Sequence, residues 1–563
     1  MSVRTFASFV LCSLATAVVA CGSSGGGSGA APVGPGTTDP DAGGTIDPDG
    51  GGGGPTGTPG SCSVTKKGTA GLLLKGRVLA PSGPIDGEVL VAAAGSITCA
   101  DVSCASGAGY ADATVVTCAD SVIAPGLVNG HDHTEYNAHP PLTHGQTRWQ
   151  HRNGWRTGAG GEMALPKYSN TSDVKLIAAA ELRFLVGGAT SVNGSGGVAG
   201  LLRNVAAFPD KTQTEGLKSP SVFFDTFPLG DSNGTELATG CGYPSIRSAN
   251  TAFKAGAAYS PHISEGVNAA AENEFVCLKG TLVTAQTAII HAVGINATDA
   301  DVIAKAKAKV IWSARTNIDL YGNTAPVTLL KNMGVTLGLG TDWLASGSMN
   351  MLRELACIDS LNDKYFAKAF DDRAMVDMAT VGSATALKLE SEIGSLAAGK
   401  LADIAIFSTA PGKDYRAVIA GTPQDVLLVL RGGKVMYGEA ALVEALSPGC
   451  GDLPMCGTMK KVCVDTPGVT LADITTAAAG SYPLFFCRGE TPTSEPSCVP
   501  YRDTYPAGTS ATDRDGDGVP DATDDCPDVF NPPRPLDGAT QADVDGDGAG
   551  DACDAKPLDA AAK

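Results

Sequence analysis

Between residues 282 and 340 short apolar runs alternate with helical segments, and this alternation limits the chain to few architectures. Residues 282–292 are largely apolar, and Thr298-Asp-Ala-Asp301 then caps an Ala/Lys-rich helix reaching Lys309. Val310-Ile-Trp312, a helix near 325–333 and Val335-Thr-Leu-Gly-Leu-Gly340 follow. Strand–helix repetition at this pace predicts an α/β fold with a parallel barrel. Strand-like runs flank it at 71–79 and 87–92 on one side and at 402–407 and 425–437 on the other. They predict a small composite β-sandwich domain built from both flanks.

Polar residues fall at four predicted strand ends, where such barrels keep their chemistry. His131-Asp132-His133 follows the apolar run 122–128. In a strand residues i and i+2 share a face, so both imidazoles point into the barrel mouth. His262-Ile-Ser-Glu265 is the second place, His291 after Ala288-Ile-Ile the third, and Thr341-Asp342 after Leu337-Gly-Leu-Gly the fourth. The chain has only 7 histidines, and four of them stand at these ends. Imidazoles with a carboxylate make a nitrogen/oxygen site suited to a divalent metal with room for water. His139, His144 and His151 lie in a long loop and are expected at the surface or the pocket rim.

The motifs Ala124-Pro-Gly-Leu-Val-Asn-Gly-His-Asp-His133, His262-Ile-Ser-Glu265, Ile289-Ile-His291, Gly340-Thr-Asp342 and Ile393-Gly-Ser-Leu-Ala-Ala-Gly-Lys-Leu-Ala-Asp403 resemble the amidohydrolase superfamily. The resemblance spans about residues 68–440 and is closest to the branch of cytosine and guanine deaminases, triazine hydrolases and imidazolonepropionase. It implies a (β/α)8 TIM-like barrel in which His131, His133, His262 and Asp342 ligate one divalent transition metal, zinc or iron. It also implies that Glu265 shuttles protons and that His291 contacts the substrate. Binuclear relatives bridge two metals with a lysine or glutamate on the fourth strand. The expected strand Pro220-Ser-Val-Phe-Phe-Asp-Thr226 offers no lysine, which favours one metal.

Such a metal lowers the pKa of bound water to about 7. Asp342 is then a proton acceptor, Glu265 a carrier to a leaving nitrogen, and His291 a stabiliser of developing negative charge. The expected reaction is hydrolysis of a non-peptide carbon–nitrogen bond in a small molecule. Deaminase, cyclic amidase and small-amide hydrolase all stay open. So do two rivals, a binuclear hydrolase of peptide-like amides and a catalytically inactive surface protein that binds or adheres through calcium. The loop 143–162 carries Arg148, His151, Arg152, Trp155 and Arg156 and is expected to cover the barrel mouth. Its arginines either hold a substrate carboxylate or form a solvated basic surface.

The formal charge of −19 argues against nucleic-acid partners, but it is concentrated at the ends. Residues 511–563 carry 14 Asp against 4 Lys+Arg. Asp513, Asp515, Asp517, Asp521 and Asp524 recur as Asp543, Asp545, Asp547, Asp551 and Asp554, 30 residues on, with Gly518 and Gly548 at the sixth position. Carboxylates at positions 1, 3, 5, 9 and 12 around that glycine match a calcium loop. Position 12 is Asp, and Pro520, Pro527, Pro532 and Pro533 exclude flanking helices. The pattern resembles thrombospondin type 3 repeats, and without calcium its carboxylates should repel one another into disorder.

At the other end Arg4 precedes an apolar run over 6–20, too short to span a bilayer, and then Cys21-Gly22. Val18-Val-Ala-Cys21 resembles a bacterial lipoprotein signal, with Cys21 as the lipidated residue. Residues 22–60 hold 16 Gly and 6 Pro and read as a tether. The expectation is an exported protein anchored by lipid to a bacterial membrane, periplasmic or surface-facing on the outer membrane. Export fits the 16 cysteines, of which 14 remain once Cys12 and Cys21 are set aside. They read as disulfides, with Cys526–Cys553 the best single pair and the remaining connectivity open. The expected organisation is signal 1–20, lipidated cysteine and tether 21–60, β domain 61–124, barrel 125–387, β domain again 388–445, Cys-rich extension 446–510 and calcium repeats 511–563. Oligomeric state and natural substrate are not legible in the sequence.

Overall fold

The computed structural model describes residues 58–206 and 214–562. The signal, Cys21 and nearly all of the tether lie outside the described residues. Eight short parallel strands form the centre: β1 (Leu127–His133), β2 (Ala189–Ser195), β3 (Arg203–Asn204), β4 (Phe223–Asp225), β5 (Tyr259–Ile263), β6 (Ala288–His291), β7 (Lys309–Trp312) and β8 (Leu337–Leu339). They pair as β1–β2–β3 and as β4–β5–β6–β7–β8. Two seams join the ladders. At one, the Val222 N–H donates to Val205 O at 2.9 Å. At the other, Asp132 bridges Asp342 in parallel, and the His133 N–H donates to Asp342 O at 2.7 Å. The second seam needs Gly340, where a Cβ would come within 2.8 Å of the His131 Cβ and backbone N.

The period-two alternation of a strand sorts the apolar residues between two cores. Val128, Ile290 and Ile311 pack with Leu387 and Leu389 in an inner cluster. Their neighbours Leu127, Ile289, Val310 and Trp312 pack outward with helix residues such as Phe275, Ile303 and Leu355. Strands covered on both faces read as continuous apolar runs, which is the signal seen in the sequence. Helices Ala269–Leu278, Ala297–Ala306, Ala314–Tyr321, Val327–Asn332 and Met351–Lys364 follow β5 to β8. The helix expected from Thr298 begins at Ala297, because Asn296 supplies the cap, its side chain accepting the Asp299 N–H. No helix joins β2 to β3. The buried Glu181 carboxylate gathers that connection by accepting the N–H groups of Val198 and Leu202 and the Asn204 amide at 2.7–3.0 Å.

Strands from both flanks join in one ten-stranded sheet, and residues of both share one apolar core. Strand Ile404–Ser408 pairs antiparallel with Thr114–Pro125 and so joins the two flanks. The sheet also runs past residue 445 into the cysteine-rich extension through Gly451–Met455 and Thr458–Val462. Buried ion pairs Arg203–Asp403 and Arg431–Glu215 tie it to the parallel strands.

All 14 cysteines of the described residues are paired: Cys62–Cys118, Cys99–Cys104, Cys241–Cys277, Cys357–Cys498, Cys450–Cys463, Cys456–Cys487 and Cys526–Cys553. Cys357, isolated in sequence, finds its partner 141 residues away. Among the described residues no helix is long and apolar enough to cross a membrane.

Candidate metal centre and active site

The four predicted ligands converge. One donor atom from each of His131, His133, His262 and Asp342 lies within 4.8 Å of the others. Asp342 Oδ1 stands 2.9 Å from His131 Nε2 and 3.7 Å from His133 Nε2. His262 Nδ1–H donates to Asp225 O at 3.3 Å, which aims Nε2 into the cluster, buried and without a hydrogen-bond partner. The Ser195 hydroxyl, 2.8 Å from Nδ1, fixes His133 in the same way. Burial and the neighbouring imidazoles push His131 and His262 well below the usual histidine range and His133 to about 3. Three imidazoles held neutral, with an orphaned nitrogen and a carboxylate, are a donor set that fits a divalent cation.

The fourth strand supplies neither lysine nor glutamate toward this cluster. The Phe224 ring sits 5.3–5.5 Å, centroid to centroid, from the rings of His131, His133 and His262. Asp225, beside it, is engaged by Arg247 and the Tyr259 hydroxyl.

Glu265 and His291 stand next to the cluster, with Glu265 Oε2 3.6 Å from His291 Nε2. His291 (φ 73°) and Asp342 (φ 66°) are both in the left-handed region, which non-glycine residues rarely occupy. One helix, Ala314–Tyr321, orients all three side chains. Thr316 Oγ1 donates to Asp342 Oδ2 at 2.9 Å. His291 Nδ1–H donates to Asn317 Oδ1 at 3.1 Å, leaving Nε2 toward the mouth. Tyr321 Oη donates to Glu265 Oε1 at 2.6 Å. Sequence reasoning missed these three residues and Phe224, since none carries a spacing that marks it.

The mouth opens into a cavity of about 460 Å³ that reaches His133, His262, Glu265, His291 and Asp342. The loop 143–162 contributes to it, but only in part as expected. Arg148 turns away, donating to Gly145 O and Thr147 O. Arg152 lines the cavity but is consumed by Thr226 O and Asp231. Arg156 also lines it, its guanidinium 4.4 Å from the Phe227 ring centroid, with Trp155 and Lys167 beside it. His139 is half-buried and stacks on Tyr168, which lines the cavity. His144 and His151 are internal: their side chains are buried against Asp319 and Glu274, because the loop folds into the molecule.

The tail also forms clusters. Asp513, Asp515 and Asp517 converge, as do Asp543, Asp545 and Asp547. Asp515 Oδ2, Asp524 Oδ2, Asp545 Oδ2, Asp547 Oδ2, Asp551 Oδ2 and Asp554 Oδ2 are buried without partners. Burial and then the adjacent carboxylates push Asp515 up to about 8. At the ninth position Asp521 and Asp551 fold back to accept the N–H of Arg514 and Val544 at 2.9 Å, and Arg514 also covers Asp521 Oδ2.

Part of the chain is similar to known proteins. Residues 238–436, which hold His262, Glu265, His291 and Asp342, match the family described as Amidohydrolase family. The 5-methylthioadenosine/S-adenosylhomocysteine deaminase of Nitratidesulfovibrio vulgaris is 34% identical over 169 residues, 28% of this chain and 37% of that protein. The protein of the same name from Teredinibacter turnerae is 36% identical over 127 residues, 22% of this chain and 28% of that one. The chain thus spans 28–37% of these relatives' length. Among solved structures, a zinc-bound adenosine deaminase from Xanthomonas campestris is 18% identical with a TM-score of 0.47, covering 74% of this chain and 98% of that one. The zinc complex of atrazine chlorohydrolase from Arthrobacter aurescens is 17% identical with a TM-score of 0.49, covering 65% and 95%.

Proposed function

We propose that the protein is a metal-dependent amidohydrolase that cleaves a non-peptide carbon–nitrogen bond of a small molecule, as a deaminase or cyclic amidase. The observation that carries this is the convergence of three neutral imidazoles and Asp342 beside the Glu265–His291 pair at the floor of one cavity. In this reading His131, His133, His262 and Asp342 hold one zinc or iron, and the eight strands close into a TIM-like barrel that lacks a helix between β2 and β3. Phe224, where a bridging side chain would stand, supports one metal over two. Bound there, the metal supplies Lewis acidity and makes hydroxide available at neutral pH.

The chain's own groups do the rest. Asp342, held on Oδ2 by Thr316, accepts the proton of the attacking water on Oδ1. Glu265 carries it on Oε2 to the leaving nitrogen, and His291 Nε2 faces the charge that grows on the attacked centre. Trp155 and Trp343 wall the cavity. Arg156 and Lys167 are the cations available to an anionic substituent.

Relatives named as 5-methylthioadenosine/S-adenosylhomocysteine deaminases make amino-substituted heterocycles the first compounds to screen, by ammonia release. On the substrate so found, Glu265→Gln is expected to abolish turnover, by at least ~100-fold, and to retain metal by elemental analysis. Asp342→Ala should lose both. Full activity in Glu265→Gln would refute the proton-shuttle assignment.

Two further readings rest on motif and chemistry. The buried unpartnered carboxylates of the tail support calcium at each Asp-x-Asp-x-Asp-Gly loop. Seven disulfides and the motif at Cys21 support export with a lipid anchor in a bacterial membrane. Acyl labelling that survives in Cys21→Ser would overturn the anchor.

A further inference from the structure

Glu265 is restrained from the opposite side to its reacting oxygen, and the restraint leads to the wall of the cavity. Tyr321 is fully buried at the end of its helix, where its hydroxyl donates to Glu265 Oε1 at 2.6 Å. The same hydroxyl accepts the Trp155 Nε1–H at 2.8 Å. Trp155 lies on helix Arg152–Thr157, lines the cavity and rests against Trp343, ring centroids 5.5 Å apart. The same short helix reaches Glu265 a second time, through the Arg152 N–H to Glu265 O at 2.9 Å. From the other side Arg502 Nη1 donates to Tyr321 O at 2.7 Å. A phenol has one proton to donate, so with Trp155 donating to its oxygen, Tyr321 gives that proton to Glu265.

We propose that Tyr321 is a positioning residue for Glu265, and that the Trp155–Tyr321–Glu265 chain sets the carboxylate by the placement of the segment covering the mouth. This rests on the reading of Glu265 as the proton shuttle. Clamping Oε1 leaves one rotamer, with Oε2 toward His291 and the cavity. Catalytic groups misplaced by about 1 Å lose on the order of 100-fold in rate, so freeing Glu265 should act on kcat and leave substrate binding in place.

The test pairs a spectroscopic readout with a kinetic one. The chain has 4 tryptophans, so its indole N–H spectrum holds four signals. Trp149, Trp312 and Trp343 donate elsewhere, to Met163 O, Thr324 and Ser346. In Tyr321→Phe the Trp155 signal, assigned by its loss in Trp155→Phe, is expected to move while the other three stay. On the substrate from the ammonia screen, Tyr321→Phe is expected to lower kcat ~10- to 100-fold with KM and metal content unchanged. Trp155→Phe should lower kcat in the parent and add nothing in Tyr321→Phe. An unmoved Trp155 signal, or a kcat within two-fold of the parent while Glu265→Gln is inactive, overturns the inference. Turnover retained in Glu265→Gln instead overturns the reading on which it rests, and the indole result still decides whether the chain of hydrogen bonds exists.

Discussion

At the scale of single residues, the number of metal ions turns on Phe224. An aromatic ring packed against three imidazoles offers no donor to a second ion, which is the ground for the single-metal proposal. Elemental analysis of the purified protein is therefore expected to return one transition-metal ion per chain; two would overturn the single-metal reading. The ligands show why the cluster was legible and its surroundings were not. His131 and His133 are two apart on one strand, and strand geometry alone puts them on one face. Phe224, Thr316, Asn317 and Tyr321 reach the same point from β4 and from the helix after β7, and only packing brings them there.

Among the elements, the β2–β3 connection carries a titration. Glu181 is fully buried; burial lifts its carboxyl from 4.5 to about 7, outweighing the N–H groups of Leu202 and Val198 that favour the charged form. The folded state then holds a proton that the unfolded chain has released between about pH 4.5 and 7. This contribution to stability is complete below pH 4.5 and is lost as pH rises through 7. The unfolding free energy should fall by on the order of 1–3 kcal/mol over that window, and Glu181→Gln should remove that part of the slope. Denaturant midpoints at pH 5 and pH 8 measure it, and identical slopes in parent and variant would reject it. Element type was legible for β6 to β8 because apolar runs and caps alternate there. The same period gave no sign that β2 and β3 lack a helix between them, since a side chain replaces it.

For the whole molecule, the tail is built onto the strand region. Arg534, buried, donates to Val293 O and Ile295 O at 3.1 and 2.8 Å, just beyond His291. Phe530 lies in the main apolar core, and Asn332 Nδ2 donates to Asp554 O at 2.9 Å. Burial and mutual repulsion of the tail carboxylates oppose that docking unless a cation neutralises them. Removing calcium with EGTA is expected to lower the melting temperature by several degrees. It should also open residues 511–562 to trypsin, at Arg514, with calcium but not magnesium restoring both. Equal melting and cleavage with and without calcium would reject the calcium reading of the tail.

The sequence by itself pointed to the parallel α/β class, to His131, His133, His262, Glu265, His291 and Asp342 at strand ends, to Cys526–Cys553 as the best single pair and to the two registered acidic loops. Each is written in local spacing, through the period of a strand or the positions of a loop. Tertiary structure decided what distance along the chain conceals: the partner of Cys357, the single sheet shared by both flanks, the inward fold of His144 and His151, and the division of three arginines into one turned away, one consumed and one facing the cavity. Side chains hundreds of residues apart meet only when the cores close, and neither composition nor periodicity carries that information.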